Sequence, residues 1–148
     1  MSTPIAVLLS QKGSSLFTLP AMATVAEAVR LMNSHKAGSV IVTQAGSLVG
    51  IFTERDVLTR VVAAGRTPET TAVGDVMTHN PVTISPHASV EDVMEVITQR
   101  RVRHLPVVDD SSDSVVGLIS IGDVLRYLVE VHRMEADHLR QYIHGYNA

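Results

Sequence analysis

Apolar residues recur at helical spacing in two places along the chain. Val25, Ala28, Val29 and Met32 stand at i, i+3, i+4 and i+7, and Val90, Val93, Met94 and Ile97 repeat the set 65 residues later, the pattern of a helix with one buried face. Both helices are expected to open alike. Thr24 with Glu27 and Ser89 with Asp92 each place a hydroxyl three residues before an acid, the arrangement of a capping box. The flanking segments, FTLPAMATVAEAVRLM from Phe17 and VTISPHASVEDVMEVI from Val82, align over the same offset without a gap.

Each helix is followed by two β-type runs separated by a short polar turn, SVIVT from Ser39 with SLVGIF from Ser47, and HLPVV from His104 with SVVGLI from Ser114. These read as hairpins. The offset grows from 65 to 67 across the turns because DDSSD is longer than QAG, an insertion that loops absorb cheaply. A second helix is expected in each half, ERDVLTRVVAAG from Glu54 and IGDVLRYLVEVH from Ile121. The chain is thus a β-α-β-β-α unit written twice, an internal repeat that fixes an α/β fold. Its expected divisions are 5–64 for the first repeat, 65–74 for a Gly, Pro and Thr-rich linker, 75–131 for the second repeat and 132–148 for a helical tail. Val129, Leu139, Tyr142 and Ile143 in that last stretch offer apolar contacts to a partner subunit.

Composition narrows the chemistry. With 148 residues, 12 Lys+Arg against 15 Asp+Glu and 45% hydrophobic residues, the chain has the size and balance of one soluble domain. Aromatics are only 3%, so the core must be aliphatic, and methionines such as Met32 and Met94 are expected in it. The lack of cysteine excludes a disulfide scaffold and a thiolate site and points to a reducing cytoplasm. The N-terminal apolar run, Ile5 to Leu9, is too short for a signal peptide or membrane anchor. A net charge of -3 and few stacking aromatics argue against nucleic acid or an anionic membrane as partner.

The two halves close with matching motifs, Gly50, Thr53 and Asp56 in GIFTERD and Gly117, Ser120 and Asp123 in GLISIGD. With RHLPVVD in the second half, this resembles the cystathionine beta-synthase (CBS) domain pair, or Bateman module, most closely its small stand-alone members. The resemblance implies two pseudo-symmetric repeats with two clefts between them, no enzymatic activity, and regulation by AMP, ADP, ATP or NAD with no metal. It also implies a homodimer and a separate effector protein. By the same resemblance Asp123 and Asp56 would accept the ribose hydroxyls, with Ser120 and Thr53 beside the ribose and phosphate. Arg103 and His104 would face the phosphate, and Thr78, Val82 and Pro106 would line the adenine end of the site containing Asp123. In the first repeat, Gly38 and Ser39 replace that Arg-His pair, leaving Lys12, Lys36 or Arg55 to supply charge. The chemistry is coherent: a carboxylate accepts both vicinal hydroxyls of a ribose, and a guanidinium matches phosphate oxygens.

The same Thr/Ser-x-x-Asp motifs also read as helix caps. A dimerisation module without a ligand is therefore the alternative. Other signals are weak. His132, Glu135 and His138 are spaced by three and three, which spreads them around a helix and away from one metal. Asp109, Asp110 and Asp113 lack the Gly and terminal Glu of a calcium loop. Lys12-Gly13-Ser14 is no phosphate-binding loop, and no nucleophile or paired-carboxylate motif appears.

Overall fold

The computed structural model describes residues 3–12 and 16–146, so Gly13 and Ser14 and the last two residues of the expected tail lie outside the described residues. The chain runs α1 (Ile5–Lys12), β1 (Thr18–Pro20), α2 (Val25–Ser34), β2 (Ser39–Gln44), β3 (Ser47–Thr53), α3 (Glu54–Asp56), α4 (Val73–Val76), β4 (Thr78–His79), α5 (Val90–Arg100), β5 (His104–Val108), β6 (Val115–Ser120) and α6 (Ile121–Tyr146). The first sheet is ordered β1-β2-β3-β4 and the second is the β5-β6 hairpin. None of the described helices is long and apolar enough to cross a membrane.

The sequence repeat is a repeat of register. Leu19 pairs in parallel with Val42, and 65 residues on Ile84 bridges in parallel to Val107. Both hairpins are irregular at the same place, between Val42 and Thr43 and between Val107 and Val108. Helices α2 and α5 are followed by left-handed residues at equivalent positions, Lys36 with φ 52° and Arg101 with φ 55°. The β2-β3 turn uses Ala45 and Gly46, both with positive φ, as a two-residue hairpin connection that matches strand twist requires.

Each repeat has its own core, aliphatic but for the fully buried Phe52 in the first, an aromatic that composition did not place there. Val25, Ala28 and Met32 of α2 pack on Val40, Val42 and Phe52 in the first, and Val90, Val93 and Ile97 of α5 pack on Leu105, Val107 and Ile119 in the second. The buried helix face is narrower than the four-residue pattern predicts. Val29 and its equivalent Met94 are 38% and 39% exposed, so Met94 is not the core residue expected. Strand pairs cover three positions per helix and leave the fourth at the rim.

Cores are completed by exchange. Val73 and Val76 of α4, with Met77, fill the first core, whereas Ile5 and Leu8 of α1 fill the second. The dockings are equivalent. Val73 N donates to Ala23 O at 2.7 Å and Ile5 N to Ala88 O at 2.8 Å, while Val25 N donates to Thr71 O and Val90 N to Thr3 O, both at 2.9 Å. The α1 segment, inside the bounds expected for repeat one, thus packs on repeat two, and residues 71–77, partly within the stretch expected to be a linker, pack on repeat one. A further difference lies after α3. Residues Val57–Val62 form a π-helix, with Ala63 N donating to Leu58 O and Arg66 N to Val61 O, both at 2.9 Å. Over so few residues, apolar spacing does not separate this wider turn from an α-helix.

Candidate functional site

Both motifs sit where a strand turns directly into a helix. Thr53 N and Oγ1 donate to Asp56 Oδ2 at 2.9 and 3.1 Å, and Asp56 N lies 3.3 Å from Thr53 Oγ1. Ser120 N likewise donates to Asp123 Oδ2 at 2.9 Å, and Asp123 N to Ser120 Oγ at 3.2 Å. The capping role is therefore realised at both junctions. It buries the acids: Asp56 is 6% and Asp123 7% exposed. Buried carboxylates need cations, and each has them. Arg60 Nε lies 3.5 Å from Asp56 Oδ1, whereas Lys12 Nζ donates to Asp123 Oδ2 at 2.8 Å and Arg126 Nη2 donates to Oδ1.

Asp123 opens onto a cleft of about 880 Å³ between the repeats. One wall is β6 and the start of α6, with Gly117, Ser120, Asp123 and Arg126; the other is the start of the first hairpin, with Gly38, Ser39 and Ile41. Leu9, Ser10 and Lys12 of α1 contribute, as does the stacked pair Phe17 and His35, whose ring centroids are 4.2 Å apart. His104 completes the cleft. A Cβ on Gly38 would lie 3.2 Å from its Nε2, so the glycine leaves room for the imidazole.

The electrostatics follow from this packing. Burial opposes ionisation of Asp123, but hydrogen bonds from Lys12 and Ser120 and the charge of Lys12 outweigh it and hold the carboxyl below its usual range. For His104, burial is the main influence and lowers its pKa, with Lys12 and Arg103 pushing the same way and Glu54 and Asp123 opposing. One polar group stands out. Ser39 is fully buried, lines the cleft, and its Oγ has no hydrogen-bond partner among the described residues, a condition that normally costs stability unless something satisfies it.

Of the predicted site residues, the structure gathers Lys12, His104, Ser120 and Asp123 around this cleft. It does not bring Arg103, Thr78, Val82 or Pro106 there. The cleft crosses between the repeats, so Asp123 faces the hairpin start of the other repeat, where Gly38, Ser39 and Ile41 line the wall beside His104. Lys12 and Lys36 belong here too, not to the site of the first repeat. Thr53, Arg55 and Asp56 line neither this cleft nor the shallower opening of about 510 Å³ near Met77 and His79. Arg126 and Ser10 were missed. Arg126 had a signal three residues beyond Asp123, and Ser10 had one in the match of TPIAVLLS from Thr3 to TAVGDVMT from Thr71. Among the described residues no group of three or more His, Asp or Glu side chains is placed to hold a metal ion.

Comparison with known proteins agrees with this architecture. A family model described as the CBS domain matches residues 2–63 and 73–130. The mitochondrial CBS domain-containing protein CBSX3 of Arabidopsis thaliana is 40% identical over 127 residues, 82% of this chain and 61% of that protein; YhcV of Bacillus subtilis is 37% identical over 68% of this chain and 70% of its own. The chain thus spans about three fifths of the plant relative's length. Among solved structures, a signal-transduction protein with CBS domains from Burkholderia ambifaria, itself described as putative, superimposes with a TM-score of 0.81 at 32% identity, covering 86% of this chain and 95% of that one. The protein from Agrobacterium tumefaciens known as ATU1752 gives 0.77 at 36%, covering 84% and 98%. With its duplicated register, exchanged core segments and inter-repeat cleft, the chain belongs to the CBS-domain family, whose paired domains are generally regulatory, nucleotide-binding modules and not catalysts.

Proposed function

We propose that the protein is a cytoplasmic sensor of an adenine nucleotide, AMP, ADP, ATP or NAD, which binds the Asp123 cleft and alters association of the module with itself or with an effector protein. The observation that carries this reading is the cleft's combination of one buried carboxylate, surrounding cations and an unpartnered buried hydroxyl on Ser39. The ribose takes the place of Lys12 Nζ on Asp123, and Lys12, Lys36 and Arg126 are at hand for phosphate oxygens. All three cations are exposed at the cleft, so the attraction they offer an anionic ligand weakens as salt is raised. Asp56, held by Thr53 and Arg60 outside the cleft, serves as a cap, and the nucleotide role proposed for it in the first repeat is secondary. Self-association is in keeping with the hexameric CBS-CP12 protein of bloom-forming cyanobacteria, 31% identical to this chain with a TM-score of 0.72.

A second reading, a ligand-free dimerisation module, is favoured by the saturation of both carboxylates within their caps. Thermal unfolding separates the two. At ~100 times its dissociation constant a nucleotide adds ~2.7 kcal/mol, which raises the melting temperature by roughly 5 to 10 °C for this chain length. Asp123→Ala is expected to abolish the shift and to cost about 1 kcal/mol through loss of the cap. If none of the four nucleotides shifts the melting temperature, the sensor reading falls and the dimerisation module stands.

A further inference from the structure

Helix α6 has two apolar stripes, and only one is used. Val124, Tyr127 and Leu128 face the second core. The other begins with Leu125 and Val129 and continues through His132, Ala136, Leu139 and Ile143, with spacings of four, three, four, three and four. That is a heptad seam. Its large apolar members are uncovered, with exposures of 55% to 66%. The β-branched residues Val129 and Ile143 occupy a positions and Leu125 and Leu139 occupy d, the distribution that favours two strands.

Flanking charges select the partner and its direction. The e positions are Arg126, Arg133 and Arg140, and Glu135 stands at g. In a parallel, in-register pair, g meets e of the next heptad, so Glu135 faces the partner's Arg140 twice over. In an antiparallel pair, e meets e and arginine stands against arginine. Within the chain Glu135 lies only 3.7 Å from His132, and Arg140 3.8 Å from Asp137, both exposed pairs that hold these side chains weakly.

We propose that α6 is a dimerisation helix that pairs with α6 of a second copy as a parallel two-stranded coiled coil through Leu125, Val129, Ala136, Leu139 and Ile143. This names the surface for self-association and does not depend on what the cleft binds. A seam under three heptads is too short to hold alone, so the test uses the full chain, without nucleotide. Because the chain has no cysteine, Leu139→Cys introduces a single thiol at a d position, and Gln141→Cys one on the outer face. Oxidation is expected to convert Leu139→Cys to a covalent dimer far faster than Gln141→Cys. In sedimentation, Glu135→Arg should weaken dimerisation by about tenfold, as a reversed ion pair on both sides implies, and adding Arg140→Glu should restore it. Equal cross-linking of the two thiols, a monomer in sedimentation, or failure of the double reversal to rescue would overturn the proposal, whatever nucleotides do to the melting temperature.

Discussion

Gly50 and Gly117 show what the motif glycines are for. A Cβ on Gly50 would lie 2.3 Å from Met77 Sδ and 2.8 Å from the backbone oxygen of Thr78; on Gly117 it would lie 2.6 Å from Leu9 Cδ2. The glycines admit the side chains of the exchanged segments. Leu9 can rotate away, but the Thr78 carbonyl is fixed in the sheet. Gly50→Ala is therefore expected to cost toward the upper end of about 1–3 kcal/mol and Gly117→Ala toward the lower, measured by urea unfolding. His104 supplies a pH dependence. Its folded pKa is lowered, so below an unfolded value of ~6.5 the unfolded chain takes up the proton first, and stability present above that pH is lost as pH falls toward the folded value. A melting series from pH 7 to 5 should flatten in His104→Gln relative to the parent. Motif residues such as Asp56 and Asp123 were legible because their spacing is local. The unpartnered Ser39 was not: a buried hydroxyl differs from an exposed one only by what surrounds it.

Among elements, α1 departs most from its reading. The apolar run Ile5 to Leu9 was legible as apolar but not as part of the second core, since its partners there lie about eighty residues and more along the chain. Only a second alignment, at 68 residues between Thr3 and Thr71, carries that information, and it is short. Ile5→Ala is expected to cost about 2–5 kcal/mol by opening a cavity in the second core, whereas Val7→Ala, on the exposed side of the same helix, should stay within about 0.5 kcal/mol. Denaturant midpoints of the two variants test this. The hairpins and α2 and α5 were read nearly to the residue, because turn residues and N-caps mark their ends. The π-helical turn after Asp56 was not, because hydrogen-bond spacing leaves no trace in a six-residue apolar pattern.

At the scale of the molecule, the duplicated halves and their α/β class were visible in the sequence. What was not visible is which half faces which acid. A pseudo-twofold arrangement lets a residue belong to one repeat by sequence and to the other by contact, and for that reason Gly38, Ser39 and Lys12 meet at Asp123 while Arg103 does not. The same geometry ties the cleft to a distant end of the molecule. Asp123 occupies the first turn of α6, and Ile143 lies twenty residues farther along that one helix, about 30 Å at 1.5 Å per residue. For a rigid rod of that length, a tilt of about 5° at its first turn would displace the far tip by roughly 2.6 Å, half a helical turn's rise.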